Sequence, residues 1–143
     1  MERTATAVWN GSLKEGHGTI SAQSGILSEA PYSFVTRFEN GTGTNPEELI
    51  AAAHAGCFTM ALSAQLGTMN VTPDRLRTVA TLTLEKLESG WTISRIHLDV
   101  TARIHGISPA AFESAASSAK ANCPVSRLLK ADITMTASLE QAA

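Results

Sequence analysis

GTNPEELIAAAHAGCFTMALSAQL, residues Gly43 to Leu66, is the stretch whose folding constrains everything around it. Its start carries helix signals. Asn45 can cap, Pro46 suits the first helical position, and Glu48 stands where it can bond back to the cap amide. From Leu49 to Leu66 there is no Asp, Glu, Lys or Arg, and the polar residues are His54, Thr59, Ser63 and Gln65. Ala51, Ala52, Ala53, Ala55, Gly56, Ala61 and Ala64 fill much of the remainder. A helix on the surface of a soluble protein keeps a charged face. One without it has to be covered on most sides, and Cys57 lies in the middle of this one.

The surrounding chain limits the possibilities. Its 143 residues fit a single domain over 1–143. A formal net charge of -2 and a pI of about 6.1 leave no basic footprint for nucleic acid. Lys and Arg are scattered, which also argues against an anionic membrane surface. A hydrophobic content of 43% is enough for a packed core. The N-terminal MERTATAVWNG lacks an apolar signal core. The central helix is too rich in small residues, and too interrupted by His54, Gly56 and Gln65, to read as a membrane span. A soluble, cytoplasmic protein is expected. In that setting Cys57 and Cys123 are expected as reduced or redox-active thiols rather than a structural staple. Each reads equally as a small buried hydrophobe.

Upstream of the helix, three strands are predicted. Thr4 to Trp9 alternates and ends at the turn Asn10-Gly11; a second strand surrounds Thr19 to Ala22. A third, Tyr32 to Glu39, would put Tyr32, Phe34 and Phe38 on a core face and Ser33, Val35, Arg37 and Glu39 opposite. Downstream, Leu76 to Leu84 and Thr92 to Ile104 form a hairpin about Ser89-Gly90. Ile96, Leu98, Val100, Ala102 and Ile104 point inward; outward-facing His97 and His105 have no role that the pattern supplies. Ser108-Pro109 starts a second helix to about Ala121, and Cys123-Pro124 a short third one, Val125 to Leu129. Asp132 to Leu139 is the last strand. The order βββ-α-ββ-α-α-β segregates strands from helices, so an α+β fold is predicted. Two open-edged half-sheets and a helix with no wet face would both be satisfied by a homodimer burying the helix of Cys57 at its centre.

Four positions bear on chemistry. Cys123 precedes Pro124 at a helix start, where free amides and the positive helix end favour thiolate; it equally suits a plain cap position. Cys57 is mid-helix and gains nothing from a helix end, so it needs a cation brought in by folding. His54, three residues earlier, is on roughly the same face, as a proton partner, half of a metal site or a bonded core residue. Arg37 is the other cation, readable as a surface pair with Glu39. Glu47 can serve the helix dipole. It lies ten residues before Cys57, about 15 Å along one helix, so it reaches Cys57 only through another residue or from a partner subunit.

The run Gly43 to Phe58 resembles the signature of the OsmC/Ohr family of thiol hydroperoxide reductases, and so does Asn122-Cys123-Pro124-Val125-Ser126-Arg127-Leu128-Leu129-Lys130-Ala131. Ser24 to Leu27, Pro31 to Phe34 and Thr36 to Glu39 match as well, so the resemblance spans nearly the whole chain. His54 and the placement of Arg37 resemble the OsmC branch more than the Ohr branch. The resemblance implies an intertwined α+β homodimer, its central apolar helices packed between two sheets and its two active sites at the subunit interface. It implies Cys57 as the peroxidatic cysteine, Cys123 as the resolving one, Arg37 as the activating cation and Glu47 as the carboxylate that orients it. The implied reaction is reduction of an organic hydroperoxide to an alcohol. It passes through a Cys57 sulfenic acid and a Cys57–Cys123 disulfide, which an external dithiol then reduces. That dithiol is a lipoyl protein, thioredoxin or a small thiol, and no metal, haem or flavin cofactor is implied. Two other classes compete. One is a non-catalytic metal-binding module using His54, Cys57 and Cys123, with Glu47 as a weaker ligand, although the close Cys pairs of structural zinc are absent. The other is a thiol acyl-transfer enzyme with His54 as base.

Overall fold

The computed structural model describes residues 1–140; residues 141–143 of the expected domain lie outside the described residues. The chain forms two compact units, Met1–Leu49 and a second that starts at Ile50.

In the first unit, β1 (Ala5–Asn10), β2 (His17–Ala22) and β3 (Ala30–Ser33) form an antiparallel sheet in that order. Gly18 sits where any Cβ would collide with the Val8 carbonyl and with the rings of Trp9 and Tyr32. Its bare backbone lets those rings meet at 5.2 Å between centroids. The third strand is half the predicted length. At Ser33 the chain turns into α1 (Phe34–Phe38). The cause is local: Ser33 Oγ accepts from the Thr36 amide at 3.3 Å, and Thr36 Oγ1 accepts from the Ser33 amide at 2.8 Å. That reciprocal pair is a capping box. Phe34 and Phe38 still share a face, but one helical turn apart, with ring centroids at 4.8 Å.

Helix α2 (Pro46–Thr68) starts as predicted, with Asn45 Oδ1 accepting from the Glu48 amide at 2.8 Å. It ends in paired bonds, Val71 N–H to the Leu66 carbonyl and Asn70 N–H to the Gly67 carbonyl, both 3.0 Å, with Asn70 at φ 55°. This is a Schellman closure with Asn in the left-handed position. By length and apolarity alone α2 is able to cross a membrane. Its own packing argues for a core helix instead. His54, Phe58, Leu62 and Leu66, spaced by four, are fully buried.

In the second unit, β4 (Arg75–Leu87), β5 (Gly90–Arg103) and β6 (Asp132–Leu139) form the other sheet, β4 antiparallel and β6 parallel to β5. A two-residue turn joins β4 to β5, with Gly90 at φ 111°. A bulge follows: Thr83 pairs with Arg95 but Leu84 with Ile93, leaving Ser94 extra. The bulge returns Ile93 to the core side. Parallel pairing of β6 requires a crossover, supplied by α3 (Pro109–Asn122) and α4 (Pro124–Leu128). Ser108 Oγ caps α3 by accepting from the Ala111 amide at 3.2 Å. The core of this unit gathers one face of α2, the Ile96, Leu98, Val100 and Ala102 row of β5, and Phe112, Ala115, Ala116 and Ala119 of α3. Cys123 is buried in the same cluster. The architecture is α+β as predicted, with α1 as one added short helix.

Candidate active site

The fold assembles two pairs of side chains, one in each unit. In the second unit, the buried face of α2 turns the neighbouring Cys57 toward the crossover, and the α3–α4 junction delivers Cys123. Both thiols are free, Cys57 half-buried and Cys123 fully buried, with their sulfurs 3.1 Å apart. A disulfide needs about 2.05 Å, so the bond requires closure of about 1 Å.

The two thiols have opposite acidities. Burial pushes Cys57 above an ordinary thiol, and the Cys123 sulfur adds to this, while the Val125 amide pulls the other way. Burial alone would raise Cys123 too. There it is outweighed by the Ser126 amide, by Cys57, by the Ser126 hydroxyl and by the Val125 amide, so Cys123 lies below the ordinary value. Cys123 is the N-cap of α4 but makes no conventional side-chain capping bond. Within this unit Cys123 is therefore the more acidic of the two thiols, and no cation is among the groups that shift Cys57.

His54 is fully buried on α2, one turn before Cys57. Its Nε2 lies 2.7 Å from Ser126 Oγ on α4, and its Nδ1 has no partner. Burial lowers its basicity, so the ring is neutral. The core-residue alternative for His54 fits this position. Ser126 appeared in the sequence only as part of a motif. Its signal was the three-residue spacing from Cys123 at a helix start, which aims an N3 side chain and amide back at the cap. Among the described residues no three His, Cys, Asp or Glu side chains come together as a metal site requires.

In the first unit, Arg37 projects from the last turn of α1 and Glu47 from the first turn of α2. They form a two-pronged ion pair: Nη2 to Oε1 at 2.8 Å, and Nε to both carboxylate oxygens at 3.2 Å. Such a pair fixes the guanidinium plane. Arg37 thus pairs with Glu47, not with Glu39, and does so from a helix rather than a strand. Its guanidinium carbon also sits 5.1 Å from the centre of the Phe38 ring. A cavity of about 240 Å³, lined by Trp9, Leu13, Tyr32, Phe34, Phe38 and Arg37, opens beside it. Phe58, an apolar neighbour of Cys57 in sequence, is fully buried core.

A family model described as OsmC-like protein matches residues 39–138. Peroxiredoxin OsmC of Escherichia coli (strain K12) is 47% identical over 135 residues, 94% of this chain and 94% of that protein. Peroxiredoxin OsmC of Shigella flexneri matches at the same 47% over the same 94% of both chains. Among solved structures, an OsmC-like protein of unknown function from Vibrio cholerae superposes with a TM-score of 0.77 at 17% identity, covering 96% of this chain and 99% of that one. This is a likeness of fold. The organic hydroperoxide resistance protein OhrB of Bacillus subtilis gives 0.67 at 25% identity, over 96% and 98%.

Proposed function

The chain belongs to the OsmC-like protein family, and on that premise we propose that it is a thiol-dependent peroxidase that reduces organic hydroperoxides to alcohols. The observation that carries this is the pair of free sulfurs 3.1 Å apart, one mid-helix and one at a helix start. In the proposed cycle the Cys57 thiolate attacks the outer peroxide oxygen. An S–O bond forms, the O–O bond breaks, and the alkoxide leaves and takes a proton. Cys123 then displaces hydroxide from the Cys57 sulfenic acid to give the disulfide. An external dithiol restores both thiols by exchange. A lipoyl protein, thioredoxin or a small thiol would each supply that dithiol.

Cys57 needs a cation because burial disfavours its thiolate. We assign that role to Arg37, held in plane by Glu47. Ten helical residues separate Glu47 from Cys57, so the pair is assigned to the site of a second copy. A homodimer supplies it, and residues 1–143 then work as one functional domain contributing one pair to each of two sites. The exposed side of α2 supports this. Ala53, Gly56, Met60, Ser63, Ala64 and Gly67 are exposed in the single chain and carry no charge, and nothing stands within 4 Å of a Cβ at Gly56 or Gly67. The aromatic cavity beside Arg37 suits the carbon tail of an organic hydroperoxide better than hydrogen peroxide. Two free thiols this close belong in a reducing compartment, and the cytoplasm is the one proposed.

Mass spectrometry of the intact chain after one equivalent of an alkyl hydroperoxide tests the cycle. Loss of two hydrogens, mapped to a 57–123 bridge, is expected. Cys57→Ser should abolish turnover, and Cys123→Ser should oxidise once and stall under dithiol recycling. Full steady-state turnover by Cys57→Ser overturns the assignment.

A further inference from the structure

His54 is the one buried side chain whose ring nitrogen is left without a partner among the described residues, and the cycle above does not use it. A neutral imidazole carries one N–H and one lone pair, and the hydrogen bond at one nitrogen decides where the proton sits. A buried N–H with no acceptor is rarer than an under-used acceptor. The bare nitrogen is Nδ1, so the proton belongs on Nε2, 2.7 Å from Ser126 Oγ. Nε2–H then donates to the Ser126 oxygen. That turns the hydroxyl hydrogen away from the ring and leaves it for Cys123, the cap residue toward which the third residue of α4 turns and whose thiol Ser126 makes more acidic.

We infer that His54 is a positioning residue for the second thiol: through Ser126 it orients a hydroxyl donor onto the Cys123 sulfur and holds that sulfur as the attacking thiolate. The role rests on the proposed peroxidase cycle for its purpose but not for its geometry. In the step it serves, a lone pair of the Cys123 thiolate attacks the Cys57 sulfenic sulfur. The S–S bond forms, the S–O bond breaks, and hydroxide leaves. That hydroxide is neutralised by the proton Cys123 released to solvent on ionising. His54 neither gains nor loses a proton.

The groups acting on Cys123 are the Val125 and Ser126 amides and the Ser126 hydroxyl of α4, and Cys57 of α2. From β5 the core presents Ile96, Leu98, Val100 and Ala102, and from α3 Ala115, Ala116 and Ala119, all apolar. Lys120 of α3 and Arg127 of α4 line the neighbouring cavity with Ser126 and are common to every variant compared. In the proposed dimer Arg37 and Glu47 of the second copy also face the thiols, and they too are unchanged.

The test follows the Cβ carbon shift of Cys123 against pH by NMR in full-length Cys57→Ala protein, where only one thiol remains. His54→Leu and Ser126→Ala should each raise the Cys123 midpoint by about one pH unit, about tenfold in thiolate at a fixed pH. His54→Gln, whose amide N–H reaches to a similar place, should stay near the parent value. A His54→Leu midpoint equal to the parent's overturns the inference. Nitrogen NMR of the unmutated chain reads the tautomer directly and needs no variant to fold. The Nε2–H form supports the relay and the Nδ1–H form ends it. Neither measurement uses a peroxide, so a chain that fails to reduce hydroperoxides refutes the cycle while leaving this result to stand or fall alone.

Discussion

Cys57 is where one residue's surroundings most limit the chemistry. Its thiol is pushed up by burial, so in the proposed cycle, where it meets the peroxide as thiolate, its reaction without a cation should rise only at high pH. Arg37→Met should therefore move the midpoint of the peroxide rate upward in pH. It should also lower kcat/KM by about 10²–10³, the cost of removing one preorganised charge donor. Glu47→Gln keeps the cation but loosens its plane, and a smaller loss of about tenfold is expected at an unchanged midpoint. Stopped-flow rates across pH separate the two. His54 makes a second, independent prediction. Its folded-state basicity lies below the ordinary value of 6.5. Below 6.5 the unfolded chain takes up a proton that the buried ring refuses. Stability is therefore present above that pH and lost as pH falls, by up to about 1.4 kcal/mol per unit. Urea midpoints compared above and below that pH check this, and His54→Gln should flatten the acid limb. Both cysteines were legible in the sequence because a helix-start Cys-Pro and a chargeless helix are strong local patterns. The His54–Ser126 contact was not, since it joins α2 to α4 across 72 positions and no local spacing encodes it.

Among the elements, α1 shows why a period can mislead. Residues 34 and 38 fall on one face whether the repeat is two or about 3.6, so two phenylalanines could not distinguish strand from helix. The deciding signal was Ser33 and Thr36, three apart, and it was polar rather than apolar. Thr36→Val should cost about 0.5–2 kcal/mol, as the loss of a cap does. It should also depress kcat/KM, because the last turn of α1 aims Arg37 at Glu47; Glu39→Gln should leave both unchanged. Helix α2 was legible at its Asn-Pro start and in its lack of charge, whereas its fourfold buried row and the Asn70 of its closing turn emerged only with the structure. Leu62→Ala in that row should cost about 2–5 kcal/mol in thermal or urea unfolding. The strand hairpin was read with its turn one residue late, at Ser89-Gly90 instead of Glu88-Ser89, and the bulge at Ser94 was invisible. Nothing in Ile93-Ser94-Arg95 marks the missing pairing partner.

For the molecule as a whole, the uncharged outer stripe of α2 is the feature that a single chain leaves unexplained. Burying one charged side chain without a partner is costly, so Gly56→Arg should convert the proposed dimer to a monomer in sedimentation at micromolar concentration. Activity should be lost with it, since each site then lacks Arg37. A dimer that survives this substitution with full activity would move the interface elsewhere. Composition and pattern were enough for the α+β class and for two three-stranded sheets. The parallel pairing of β6 with β5 was not legible, because strand direction depends on the α3–α4 crossover and not on the alternation of Asp132 to Leu139.

That parallel pairing orders events during synthesis. Cys57 leaves the ribosome long before Cys123, and the crossover bearing Cys123 is anchored at its far end only when β6 adds to β5. Non-local pairing of this kind is slow to form. In the proposed cycle a half-made chain thus carries a sulfur whose companion is not yet seated, and a chain cut before Asp132, which keeps Cys123 but loses β6, should over-oxidise at Cys57 more readily under peroxide.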